Sequence, residues 1–163
     1  MKDYTLDTIY IGGGTPTTLN AAQMERLLTK VTELFPMEQV QEFTVEAGRP
    51  DTINEEVLKA IRKFPVTRIS INPQTMNQET LDLIGRHHTV EEIEEKFRMA
   101  RSLGFDNINM DLIVGLPGED KEKCAYVGKS GSAESGFPDR PFPCVKACNE
   151  TQPVQRQISG NLV

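Results

Sequence analysis

Apolar residues along the first two thirds of the chain follow two different spacings. Short runs at Thr8–Ile11, Phe43–Ala47, Arg68–Ile71 and Asn107–Val114 have the length and β-branched content of strands. Between them the apolar positions recur every three or four residues, the period of a helix with one buried face. Met24, Leu27, Leu28, Val31 and Leu34 mark the first such face, and Val57, Leu58 and Ile61 the second. A short helix is predicted from Asn77 to near Ile84, and a longer one through Ile93, Phe97, Ala100 and Leu103.

The punctuation agrees with these elements. Asn20 with Gln23, and Thr89 with Glu92, have the spacing of capping boxes, and Asn54 is placed to cap the second helix. Pro36 follows the first helix, Gly85 and Gly104 follow the later two, and Gly48-Arg49-Pro50 reads as the exit turn of the second strand. Pro73 cannot donate to a ladder, so the third strand is expected to break before it. Strands alternating with helices imply parallel pairing and right-handed crossovers. The fold class is therefore α/β, a parallel sheet of about four βα units, either open or part of a barrel. Regularity ends near position 120. Residues 1–120 read as a folded core, and residues 121–163 as an irregular tail of Gly, Pro, Ser and Gln without apolar period.

Charge sharpens the division. Residues 121–163 hold six Lys/Arg and four acids, so of the net −6 the first 120 residues carry −8. An acidic domain argues against a nucleic-acid surface. No apolar run approaches the ~20 residues of a membrane span, and the first residues lack the basic-then-apolar pattern of a signal peptide. Three cysteines are too few and too late for a disulfide framework, so a cytoplasmic location is expected.

Candidate chemistry collects at strand ends. Gly12-Gly13-Gly14-Thr15-Pro16, Glu46, Gln74 and Asp111 each fall at or just past the C-terminal end of a strand, the edge where parallel sheets bind ligands. The glycine run bares backbone to a ligand's polar head, or else serves only a tight turn. It is neither a dinucleotide fingerprint, since Thr17 takes the sixth position, nor a phosphate loop. Glu46 can accept from an ammonium or ribose hydroxyls, or pair with Arg49 on the surface. Asp111 lies inside an apolar strand, where a charge is costly unless partnered. Arg86 suits a carboxylate through its fork, or answers a helix dipole. His87 and His88 are adjacent, so they point apart and read as turn residues rather than joint metal ligands. Cys144 and Cys148 have the spacing that opens an iron–sulfur triad, but Thr151 stands where the third thiolate belongs, and two cannot hold a cluster.

Five stretches, taken together, resemble the coproporphyrinogen dehydrogenase branch of the radical S-adenosylmethionine superfamily, the oxygen-independent coproporphyrinogen III oxidases. They are Ile9–Pro16, Phe43–Asp51, Arg68–Thr75, Ile84–Thr89 and Asn107–Gly118, in that order. The Val45–Pro50 and Ser70–Gln74 segments look most like the variant of Bacillus-type bacteria. Asn72-Pro73 replaces a more usual Gly-Val.

The resemblance implies a partial barrel with two cofactors, S-adenosylmethionine and a four-iron four-sulfur cluster. A deoxyadenosyl radical would oxidatively decarboxylate the propionates of coproporphyrinogen III, giving protoporphyrinogen IX in haem biosynthesis. By position, Gly13 and Glu46 look like contacts to cluster-bound S-adenosylmethionine. Gly14, Thr15, Gln74, Arg86 and Asp111 look like contacts to a second molecule of it. The implied partner is a tetrapyrrole whose carboxylates would need Arg49 or Arg86, and the electron donor is not indicated. The family's cysteine triad and a preceding Tyr belong before residue 1, so no catalytic or metal residue is assigned here. The chain alone is expected to be inactive, poorly stable and aggregation-prone. Two other readings stand beside the oxidase: a haem chaperone of a related branch, and an inactive remnant.

Overall fold

The spacing pattern is realised in a computed structural model that describes residues 5–119. Strands β1 (Thr8–Ile11), β2 (Glu42–Gly48), β3 (Arg68–Gln74) and β4 (Ile108–Leu112) form one sheet in the order β1-β2-β3-β4. Every neighbouring pair is parallel, with Ile9 beside Phe43, Glu46 beside Ser70 and Ser70 beside Asn109. Helices α1 (Ala21–Leu34) and α2 (Glu55–Arg62) join the first three strands, and α3 (Gln78–Leu83) and α4 (Val90–Ser102) join β3 to β4. The order and the parallel pairing are those of an α/β barrel wall. The tail assigned to residues 121–163 lies outside the described residues.

Local chemistry sets the helix ends as expected. Both capping boxes form: Asn20 with Gln23 at α1, and Thr89 with Glu92 at α4. Asn54 and Asn77 accept from the backbone N–H three residues on, at α2 and α3. Each such cap contributes about 1 kcal/mol.

Within each strand the side chains alternate between two unlike faces. Phe43, Val45, Ala47, Ile69, Ile71, Ile108 and Met110 join Met24, Leu28, Val57, Leu58, Ile61, Leu81, Ile93 and Phe97 in one buried cluster. All four helices therefore pack on that face. Fully burying a side chain of this size contributes about 1.5–3 kcal/mol.

Three expectations are corrected. Strand β3 does not break before Pro73 but runs on to Gln74. Its register to β4 shifts between Ile71 and Gln74, where three steps along β3 match two along β4, so the missing proline N–H falls in a bulge. Strand β4 is shorter than expected, ending at Leu112, with Ile113 and Val114 exposed. Leu34 does not face the core; it is 64% exposed, while Val31 three residues before it still packs against the buried cluster.

Candidate functional site

The second face of the sheet is polar. Tyr10 on β1, Thr44 and Glu46 on β2, Ser70 and Asn72 on β3, and Asn109 and Asp111 on β4 occupy the positions that alternate with the core residues. A chain of hydrogen bonds crosses it from strand to strand. The Tyr10 hydroxyl donates to Glu46 Oε2 at 3.3 Å, and Asn72 Nδ2 donates to Glu46 Oε1 at 2.8 Å. The Ser70 hydroxyl lies 3.1 Å from Asn72 Oδ1 and 3.3 Å from Asp111 Oδ2. Asn109 Nδ2 donates both to Ser70 Oγ, at 3.2 Å, and to Asp111 Oδ1. Lower on the same face, Arg68 pairs with Glu42 at 3.1 Å.

This network joins two of the residues singled out from sequence, Glu46 and Asp111. Both are half-buried and held by neutral donors, and neither has a cationic partner among the described residues. Carboxylates removed from water ordinarily require one. Arg49 pairs with Asp51 at 3.6 Å, so the surface Glu46–Arg49 pair considered above does not form. Tyr10 registers the negative field. Its phenol is pushed above the ordinary 10.0, first by burial, then by the charge of Glu46 and the hydrogen bond to it, with Asp111 adding to the effect.

Gln74 and Arg86 are brought together in a second arrangement. Gln74 ends β3 with φ of 73°, a left-handed conformation unusual outside glycine, and its backbone oxygen accepts from Ile113 at 2.8 Å. Its side-chain oxygen accepts from the Arg86 guanidinium at 2.6 Å. Arg86 therefore reaches back to the sheet edge instead of answering the end of α3, and no carboxylate pairs with it among the described residues.

The glycine loop borders the Glu46 side. A Cβ on Gly12 would run into the Tyr10 ring and Glu46 Oε2, so this position must stay bare for the two to meet. Gly13 has φ of 91°, and a Cβ on Gly13 or Gly14 would meet nothing within 4 Å, so open space lies against that backbone. Buried Thr17 donates to the Ala47 carbonyl, tying the loop to the end of β2. Thr15 lies over Gly48, which has φ of 69° and would place a Cβ 2.7 Å from Thr15 Cγ2. The loop, Glu46 and Asp111 thus share the C-terminal edge, with Gln74 and Arg86 at the β3 end of it.

Sequence reading passed over Tyr10, Ser70 and Asn109 and noted Asn72 only as a departure. The available signal was alternation: Phe-Thr-Val-Glu-Ala, Ile-Ser-Ile-Asn and Ile-Asn-Met-Asp-Leu each place polar residues on every second position. His88 is buried, its Nε2 without a hydrogen-bond partner, and the structure does not join it to the network. Among the described residues no group of three or more His, Cys, Asp or Glu could hold a metal ion. Cys144 and Cys148 lie outside the described residues. No helix among these residues is long and apolar enough to cross a membrane.

Known proteins show the same framework. Over 118 residues the chain is 55% identical to the oxygen-independent coproporphyrinogen-III oxidase-like protein HemZ of Bacillus subtilis, covering 72% of this chain and 24% of that protein. It is 46% identical over 117 residues to the heme chaperone HemW of Lactococcus lactis, covering 72% of this chain and 31% of that protein. The solved structure of coproporphyrinogen III oxidase (HemN) from Escherichia coli, described as a radical SAM enzyme, superposes with a TM-score of 0.63 at 36% identity. That match covers 74% of this chain and 27% of the other. The chain thus spans 24–31% of the length of these relatives. The family model of the Radical SAM superfamily matches residues 1–127, and the chain belongs to that superfamily.

Proposed function

We propose that this chain supplies the S-adenosylmethionine-binding wall of an oxygen-independent coproporphyrinogen III oxidase. The supporting observation is a set of charges along one sheet edge that lack ion-pair partners among the described residues: Glu46 and Asp111 without a cation, and Arg86 without an anion. S-Adenosylmethionine carries an ammonium, a carboxylate, a sulfonium and ribose hydroxyls, so it can answer charges of both signs. The open space against Gly13 and Gly14 admits its polar end to backbone N–H and C=O groups. These residues fit the molecule. They do not fit an iron–sulfur cluster, because the described residues present no thiolates.

Glu46 accepts from the ligand's ammonium while Tyr10 and Asn72 hold its two oxygens in place. Asp111 accepts from a hydroxyl or ammonium, and Gln74 holds Arg86 toward a carboxylate. Thr15 keeps the glycine loop seated over β2. When bound, and given one electron from a reductant outside the described residues, S-adenosylmethionine would supply the hydrogen-abstracting chemistry for the propionate side chains of the tetrapyrrole.

Equilibrium dialysis of S-adenosylmethionine tests the reading. Glu46→Gln keeps the shape but removes the charge, and a loss of at least about tenfold in affinity is expected. Equal binding by Glu46→Gln and the parent would refute it. A second reading, a haem chaperone, is favoured by the 46% identity to HemW. The 55% identity to the oxidase-like relative supports the first reading over it. Haem binding without decarboxylation by the full-length protein would reverse that order.

A further inference from the structure

The hydrogen-bond directions along the polar face can be assigned from chemistry alone. An ionised carboxylate only accepts, so the amide atom of Asn72 nearest Glu46 must be its nitrogen, as found at 2.8 Å. The Asn72 oxygen is thereby turned to Ser70. The same logic fixes Asn109: its nitrogen faces Asp111, and the second hydrogen of that nitrogen reaches Ser70 Oγ at 3.2 Å. Ser70 therefore accepts from Asn109 and has one proton left. Two acceptors compete for it, Asn72 Oδ1 at 3.1 Å and Asp111 Oδ2 at 3.3 Å.

We propose that Ser70 and Asn72 form a positioning relay, in which one shared hydroxyl proton couples the orientation of Glu46 to what is bound at Asp111. This rests on the reading of Glu46 as the acceptor of the ligand's ammonium. When a ligand donor takes Asp111 Oδ2, the Ser70 proton turns wholly to Asn72 Oδ1. Asn72 is then held at both ends, and its donation to Glu46 Oε1 is fixed. With Asp111 free, the proton is divided, so Asn72 keeps its 2.8 Å bond to Glu46 Oε1 but its oxygen is held only part of the time. Neither Ser70 nor Asn72 needs to touch the ligand. A glycine at 72 would sever the relay without filling its space.

Two measurements on the full chain decide the matter. The first is the 13C resonance of the Glu46 carboxyl without ligand. Ser70→Ala is expected to shift it, although no hydrogen bond joins Ser70 to Glu46. In an Asn72→Gly background the same change is expected to do nothing. Asn72→Gln, which keeps the amide, should restore part of the Ser70 effect. An equal Ser70→Ala shift with and without Asn72 would overturn the relay.

The second is S-adenosylmethionine dialysis, with about tenfold weaker binding expected for Asn72→Gly and about threefold for Ser70→Ala. The double variant should bind no more weakly than Asn72→Gly alone. Fully additive losses would count against the proposal. If Asn72→Gly loosens β3, as a broadened amide spectrum would show, Asn72→Ser replaces it in both assays. Failure of Glu46→Gln to weaken binding would refute the ligand reading, while the ligand-free resonance still judges the relay.

Discussion

The two faces of this sheet are built from the same strands, yet they obey different rules. On one face Phe43, Val45, Ile69, Ile71 and Ile108 are wholly buried against the helices. On the other, Tyr10, Glu46, Ser70, Asn72 and Asp111 are joined by hydrogen bonds that cross three strand boundaries. A parallel sheet is normally apolar on both sides, because helices cover both. Here only one side follows that pattern. The apolar face supplies the buried core, and the polar face holds a hydrogen-bonded network whose carboxylates are only half-buried. Division of labour between alternate residues lets one short strand serve both ends.

That contrast can be broken from either side, and the largest effect belongs to the core. Phe43→Ala should lower stability by about 3–5 kcal/mol, read from urea unfolding, because a fully buried ring is removed from between β2 and the helices. A loss below 1 kcal/mol, on the order of a surface change, would mean that this face is not the core. Next comes Gly48→Ala. Its φ of 69° and the 2.7 Å approach to Thr15 Cγ2 should together cost about 2 kcal/mol in the same assay.

Changes on the polar face should be milder for folding. Asn109→Ala takes one donor from Asp111 and one from Ser70, and about 1 kcal/mol is expected. A loss as large as that of Phe43→Ala would erase the distinction between the faces. The smallest effect concerns Tyr10. Its phenol should titrate above 10.0 by ultraviolet absorbance, and Glu46→Gln should bring it part of the way down. Burial, the leading cause, stays in place, so full return to 10.0 would show that Glu46 accounts for the whole shift. The sign fixes the linkage: the raised value stabilises the fold below pH 10 and that contribution fades as pH climbs through it. With Tyr10 56% exposed, the contribution is small.

Elements fixed by near neighbours were legible from the sequence. Asn20 with Gln23 and Thr89 with Glu92 needed only a spacing of three, and both boxes form. The inward faces of α2 and α4 followed from helical period. What the sequence concealed depends on register between strands. Pro73 is harmless only because the bulge against β4 absorbs it, and no local rule announces a bulge. Glu46 and Asp111 stood out as isolated acids, yet the bonds linking them run through Ser70 and Asn72 on the strand between. Arg86 finds Gln74 across twelve residues, around α3, through turns whose paths the pattern did not specify.

The left-handed backbone of Gln74 carries one more implication. A glycine there would relax the torsion by roughly 1 kcal/mol but would free the unfolded chain by about as much, so little net change in stability is expected. It would also strip Arg86 of its acceptor and leave the guanidinium to wander. A screen of variants for heat resistance alone would therefore let this change pass and accept a slackened sheet edge. What the torsion of this single position costs, the reach of Arg86 depends on.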